Sequence, residues 1–238
     1  MSSELINLYI LYLLKQKKFK TNTINQIISS IIFFCKHILE DYSLVESIER
    51  LKKENKLPIV LSQYEIKNLL NSIINLKHHA IFYVLYSAGL RLSEVVKLKP
   101  FDIDSHRKMV FVRGGKGKKD RYSLLSIIAV NALRKYVENY KIENWLFPGQ
   151  KKGMHLTKRS VQKVMERAVK KAGIKKDASV HTLRHSFATH LLESDIDIRY
   201  IQELLGHKSY KTTEIYTHVS LCHLKRIKNP LDNIDGLV

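Results

Sequence analysis

Acidic residues are scarce in this chain. Against 41 lysines and arginines stand 22 aspartates and glutamates, so the 238 residues carry a formal charge of +19. That imbalance disfavours acidic-rich architectures and points to a polyanionic partner, of which nucleic acid is the commonest. Cysteine is rarer still. Cys35 and Cys222 are the only two and lie far apart, which excludes a disulfide framework and a cysteine-based zinc site and fits a reducing compartment. Long apolar runs are also missing: the longest uncharged one, HAIFYVLYSAGL at 79–90, is well short of the roughly 20 residues a bilayer-spanning helix needs. In MSSELINLYILYLLKQKK the apolar residues precede the basic ones, the reverse of a secretory signal. A soluble protein of the cytoplasm, with no membrane partner, is the expectation.

What remains is ordinary globular material. Hydrophobic residues make up 45% and charged residues 26%, enough apolar content for a packed core and too much for a disordered chain. The apolar spacing predicts amphipathic helices over 4–18 and 23–40, with Thr21, Asn22 and Thr23 as candidate N-caps for the second. A Lys-rich stretch ending at Pro58, RLKKENKLPIVLS, reads as a linker. The domain reading is therefore 1–52, a small helical domain; 53–58, the linker; and 59–238, a larger domain. Within the larger domain Ser62 and Glu65 are spaced as a capping box. A helix over 78–88 ends at Gly89, and RLSEVVKL starts another. KMVFVRGGKGKKDRYSLL reads as a β-hairpin with a Gly/Lys-rich tip. Helical patterns resume at 126–140, 157–172, 181–193, 197–205 and about 209–225. The fold class expected is mainly α, with a small antiparallel sheet.

Several residues could do chemistry. In HTLRHSFATHLLE, His181 and Arg184 are three apart near a helix N-terminus, an arrangement suited to phosphate. His181 and His185 share the four-residue spacing of zinc helices, but the glutamate of H-E-x-x-H is absent and no third ligand is evident, so no metal is expected. Arg91 follows the Gly89-Leu90 break directly. GGKGKKDR lacks the Ser/Thr of a phosphate loop and offers instead Lys116 at a hairpin tip. Gly206 presents His207 at a helix end, and Tyr216 lies nine residues on.

Taken together, Arg91, Lys116, His181, Arg184, His207 and Tyr216 resemble the tyrosine recombinase (phage integrase) family. The matching strings are SAGLRLSEVVKL, GGKGKKDR, HTLRHSFATHLL and IQELLGHKSYKTTEIYTHV, and the likeness is greatest to Xer-type and integron-type bacterial enzymes. The resemblance implies a catalytic domain over 59–238 and a reduced core-binding clamp over 1–52. It further implies a site-specific recombinase in which Tyr216 attacks a phosphodiester to leave a 3′-phosphotyrosyl bond and a free 5′-hydroxyl. Arg91 and Arg184 would clamp the phosphate, His181 would accept the phenol proton, Lys116 would protonate the leaving 5′-oxygen and His207 would hydrogen-bond the phosphate. Rejoining would then need no cofactor. A type IB topoisomerase uses similar chemistry on one duplex, and a catalytically silent DNA-binding relative would keep the fold alone.

The resemblance also implies a homo-tetramer on two double-stranded DNA sites, monomeric when free and nucleoid-associated. Between Lys151 and Lys176 ten Lys/Arg accompany one acidic residue, Glu166; the helix TKRSVQKVMERAVKKAG there resembles the family's helix that lies on DNA, which implies contacts from Lys158, Arg159 and Lys163. Lys15, Lys17, Lys18 and Lys20 are expected on phosphates from the N-terminal side. Such contacts position more than they read sequence. Affinity for a duplex should accordingly fall linearly, on logarithmic axes, as salt rises; an affinity indifferent to salt in a filter-binding titration would contradict the DNA assignment.

Overall fold

The computed structural model describes residues 3–46, 48–52, 57–114, 120–207, 209–217 and 219. The chain divides into two compact units, one up to residue 56 and one from Leu57 onward. No helix among the described residues is long and apolar enough to cross a membrane.

The first unit is built on α1 (Ser3–Lys15), α2 (Thr21–His37) and the short α3 (Tyr42–Glu46). Ile6, Ile10 and Leu13 fall on one face of α1 and meet Ile24, Ile28 and Cys35 of α2, with Leu44 and Ile48 closing the cluster. This is the i, i+4, i+7 stripe of an amphipathic helix. Both helices are shorter than the sequence spacing suggests. The chain leaves α1 through Lys18, at φ +50°. Thr21, Asn22 and Thr23 lie inside the first turn of α2, where Lys20 takes the N-cap without a side-chain hydrogen bond. Helix α3 was not expected in a polar stretch; Asp41 starts it by accepting hydrogen bonds from Ser43 Oγ (2.7 Å) and Leu44 N (3.2 Å). The buried amide of Asn25 clasps the backbone of Leu51, donating to its oxygen at 2.9 Å and accepting from its nitrogen at 3.0 Å.

The second unit wraps around α5. Helix α4 (Gln63–Asn71) opens with the expected capping box of Ser62 and Glu65. Helix α5 (Leu76–Ala88) buries Ala80, Ile81, Phe82, Val84, Leu85 and Ala88, too many directions for one apolar stripe, and so it runs through the core. It packs against α7 (Ile127–Asn139) and α9 (Val180–Glu193). Between them lie α6 (Leu92–Val95) and an antiparallel sheet of β1 (Ile103–Asp104), β2 (Met109–Val112) and β3 (Arg121–Leu124) in sequential order. The β2–β3 register, with Val112 opposite Arg121, makes the expected hairpin; the two-residue β1 has no sequence signature. Helices α8 (Lys158–Lys171), α10 (Ile198–Leu205) and α11 (Lys211–Glu214) complete the unit. The last helix is a correction. Of the span expected at 209–225 only one turn is helical among the described residues, and Tyr216 falls in the turn beyond it. Thr212, Thr213 and Ile215 are β-branched there, which lowers helix propensity.

Two helices end on left-handed glycines, and both ends matter to the site. Gly89 has φ +58° and caps α5; a Cβ there would sit 2.4 Å from Phe187 Cδ1. Ser123 Oγ donates to Ala88 O at 2.8 Å and ties β3 to the same helix end. Gly206 has φ +64° and caps α10. Gly89→Ala therefore combines an unfavourable φ with a ring clash. The expected loss is about 2 kcal/mol, a Tm lower by roughly 4–8 °C in a thermal melt, and an unchanged Tm would mean Phe187 yields freely.

Candidate active site

Five of the six expected site residues come together; the sixth, Lys116, lies outside the described residues. Arg91 is the N-cap of α6, delivered there by the reversal at Gly89. Its backbone N–H donates to Glu94 Oε2 at 2.7 Å and its Nη1 to Glu94 Oε1 at 2.8 Å. His181 and Arg184 stand in the first turns of α9, which begins at Val180. Arg184 is 1% exposed, with Nη1 donating to Gly89 O at 2.6 Å and Nη2 to Leu205 O at 2.7 Å.

The end of α10 holds the arginines. Its last carbonyls have no partner within the helix and carry partial negative charge. Leu204 O accepts from Arg121 Nε at 2.9 Å, Leu205 O from Arg184, and Gly206 O from Arg91 Nη2 at 3.4 Å. His207 follows at once, its Nδ1 2.9 Å from Thr213 Oγ1. Glu94 supplies the compensating charge. Arg121 grips it two-pronged, Nη1 to Oε1 at 2.9 Å and Nη2 to Oε2 at 2.8 Å, while Arg184 Nη1 lies 4.0 Å from Oε2. Burial alone would raise the Glu94 carboxyl, but the bonds and charge of Arg121, with those of Arg91, hold it at about 2. Burial, and then the charge of Arg91, bring Arg184 down to about 9, still a cation at neutral pH.

Tyr216 is 1% exposed and packs with Phe187, Ala188, Ile201 and Leu205. Its hydroxyl lies 3.2 Å from His185 Nδ1. His181 stacks edge-on against that ring, centroids 4.5 Å apart, and His207 lies nearly parallel to the Tyr216 ring at 6.3 Å. Burial raises the phenol's pKa, and the charges of Arg184 and Arg91 pull it back. Burial, then neighbouring cations, depress all three imidazoles: His181 in direction, His185 to about 4 and His207 to about 3. At neutral pH each is therefore uncharged and able to accept a proton. Two guanidiniums, neutral imidazoles and a phenol can together bind a phosphodiester and carry out nucleophilic displacement on it.

Sequence reasoning passed over Glu94, Arg121, His185 and Thr213 as members of this site. Glu94 was legible from its three-residue spacing to Arg91 at a helix start. Arg121 sits within the quoted hairpin string with no local sign that it turns inward. His185 was weighed only as a metal ligand; among the described residues no three His, Cys, Asp or Glu side chains group as a metal site. The lysines proposed for DNA are exposed. Lys15, Lys17, Lys18 and Lys20 surround the α1–α2 turn. Lys158 and Lys163 line one groove with Lys77, Lys151 and Arg167. Arg159 does not join them: it faces Glu166 at 4.0 Å and lines a separate cavity beside His181.

The shifts of His185, His207 and Glu94 act on stability in one direction. His185 and His207 hold fewer protons in the fold than at their ordinary value of 6.5, so the unfolded chain binds more protons below that pH. Their contribution is present above pH 6.5 and is lost on acidification toward pH 4 and 3; Glu94 loses its own below its ordinary 4.5. Thermal melts from pH 7 to pH 4 should show a falling Tm, with a shallower fall in His207→Gln. A Tm that rises on acidification would contradict the assignment.

The phage integrase family profile matches residues 60–222. The chain is 41% identical over 228 residues to y4qK of Sinorhizobium fredii, whose name places it among integrases/recombinases, covering 95% of this chain and 74% of that protein. It is 39% identical over 232 residues to tyrosine recombinase XerD of Oceanobacillus iheyensis, covering 90% and 77%. The crystal structure of XerA recombinase superposes with a TM-score of 0.66 at 28% identity, over 96% of this chain and 85% of that one. The XerH site-specific recombinase bound to its palindromic difH substrate superposes at 0.79 and 24% identity, over 94% and 71%, a likeness of fold. With arginines, histidines and a buried tyrosine gathered in one site and these relatives around it, the chain belongs to the phage integrase family, the tyrosine recombinases.

Proposed function

We propose that this protein is a site-specific recombinase that cuts and rejoins double-stranded DNA through Tyr216. The observation that supports this reading best is the gathering of Arg91, Arg184 and His207 at the end of α10, with His207 and His185 against Tyr216 and His181 against His185. Tyr216 Oη attacks the phosphorus, forming a 3′-phosphotyrosyl bond as the bond to the 5′-oxygen breaks. The phenol proton passes to His181, which is neutral at the working pH; Lys116 gives a proton to the departing 5′-oxygen. Arg91 and Arg184 balance the charge that grows on the non-bridging oxygens, and His207 donates to one of them. The phosphotyrosine conserves the bond energy, so the reverse attack by a 5′-hydroxyl reseals the strand without an external energy source.

The remaining parts follow the same reading. Lys158 and Lys163, with Lys77 and Arg167 beside them, meet phosphates on the catalytic side; Lys15, Lys17, Lys18 and Lys20 meet them from the first unit, which serves as a reduced clamp. Exchange between two duplexes then requires four copies of the chain on two sites, assembling from monomers in the cytoplasm.

Covalent capture tests the proposal. Wild type and Tyr216→Phe are incubated in EDTA with a library of randomly nicked duplexes and denatured in detergent, and the protein-bound DNA is sequenced. The expected result is an adduct with wild type alone, enriched at one inverted repeat. Equal adducts from both proteins would remove Tyr216 from its role, and cleavage without an adduct, seen only when EDTA is left out, would indicate a metal-dependent nuclease.

A further inference from the structure

Arg121 is the one cation of this site to which the chemistry above gives no task. We infer that it is a positioning residue for phosphoryl transfer, one that occupies Glu94 so that Arg91 and Arg184 keep their charge for the phosphate; the inference rests on the recombinase reading. Its side chain is 9% exposed, and every nitrogen of the guanidinium is engaged inside the protein. Both Nη atoms lie on the two oxygens of Glu94, and Nε lies on Leu204 O. A guanidinium so engaged presents little to DNA.

The charges explain why it is there. Glu94 is needed, since it holds Arg91 by both its backbone N–H and its Nη1. Yet a carboxylate beside an anion-binding site repels the phosphate and draws the clamp arginines toward itself. Arg184 Nη1 is already 4.0 Å from Glu94 Oε2. Arg121 takes both carboxylate oxygens in a planar fork, which lysine cannot do, and so one cation cancels one anion and two are left over. The stem does a second job. A Cβ on Gly206 would fall 2.8 Å from Arg121 Cδ, so the arginine is packed against the turn that presents His207. Arg121 also opens β3, opposite Val112 of β2. One side chain thereby sets the relative placement of Arg91, Arg184, His207 and the β2–β3 pair.

The test uses the nicked duplex recovered by covalent capture with wild type, and reads duplex affinity and the single-turnover cleavage rate at saturating DNA for Arg121→Met, Arg121→Lys and the double variant Arg121→Met/Glu94→Gln. Arg121→Met should bind the duplex as wild type does and cleave about 100-fold more slowly, the size of effect that small misplacement of reacting groups produces. In the double variant the unpaired carboxylate is gone, and about tenfold of the rate should return. Simple loss of packing predicts no such rescue. A wild-type rate for Arg121→Met, or a double variant no faster than the single, would overturn the inference. If Arg121→Met does not fold, Arg121→Lys decides: it keeps the charge without the fork, and cleavage at the wild-type rate would overturn the inference. Failure of wild type itself to form an adduct would bring down the recombinase reading, and the inference with it.

Discussion

The carboxylate of Glu94, buried among three guanidiniums, is the interaction on which the site's geometry depends. Three cations this close repel one another, and each would be expensive to bury alone. A single carboxylate cannot neutralise all three. The deficit is met by carbonyl dipoles: Gly89 O at the end of α5, and Leu204 O, Leu205 O and Gly206 O at the end of α10. Helix ends are the natural source of such acceptors, because their last carbonyls lack internal partners. Both ends are made by left-handed glycines, so the chain can turn away while its carbonyls remain aimed at the arginines. Backbone conformation at two positions thus decides whether a cluster of positive charge can be held at all.

That cluster sets the protonation of everything beside it. Burial, and after it the neighbouring charges, hold the imidazoles of His181, His185 and His207 below their ordinary value. The same charge works against the effect of burial on the phenol of Tyr216. The two consequences suit one reaction: an uncharged imidazole can take a proton, and a phenol near guanidiniums gives one up more readily than burial alone would permit. They also complement an incoming phosphate, since the dipoles and charges are oriented before it arrives.

Much of this was legible in the sequence. The helix ends at Gly89 and Gly206, the capping box at Ser62, and the hairpin all carry local signatures, and the structure contains them. Arg91, His181, Arg184, His207 and Tyr216 could be picked out by type and spacing, although their roles came only from resemblance. What stayed hidden is long-range. Arg121 reads as one more cation in a basic hairpin, and nothing nearby in sequence shows that it crosses 27 positions to Glu94 and 83 to Leu204. His185 offers in sequence only a zinc-like spacing to His181, discounted for want of a third ligand, because spacing on a helix reports which residues share a face, not what that face meets. Within the helix expected at 209–225, the described residues are helical only over Lys211–Glu214, since periodicity does not register the β-branched residues that disfavour continuation.

The shortness of α11 bears on how Tyr216, the proposed nucleophile, is held. Arg91, Arg184 and His207 are fixed by helix ends and by a buried ion-pair network. Tyr216 lies in a turn after a single helical turn, where its N–H donates to Thr213 O at 3.0 Å and its carbonyl accepts from Val219 N at 3.2 Å. Its ring is placed by packing with Phe187, Ala188, Ile201 and Leu205 and by the contact of its hydroxyl with His185. These are side-chain contacts, each individually small, whereas the clamp combines charge with oriented carbonyls. The site is therefore uneven in rigidity by construction: a stiff phosphate clamp faces a nucleophile seated by packing. Because that hydroxyl is buried, a phosphodiester can reach it only through local adjustment. Adjustment at the weakly framed tyrosine disturbs far less favourable interaction than adjustment at the arginines. In the proposed reaction the arginine clamp would define where the phosphorus sits, and the turn that carries Tyr216 would supply the adjustment that attack needs.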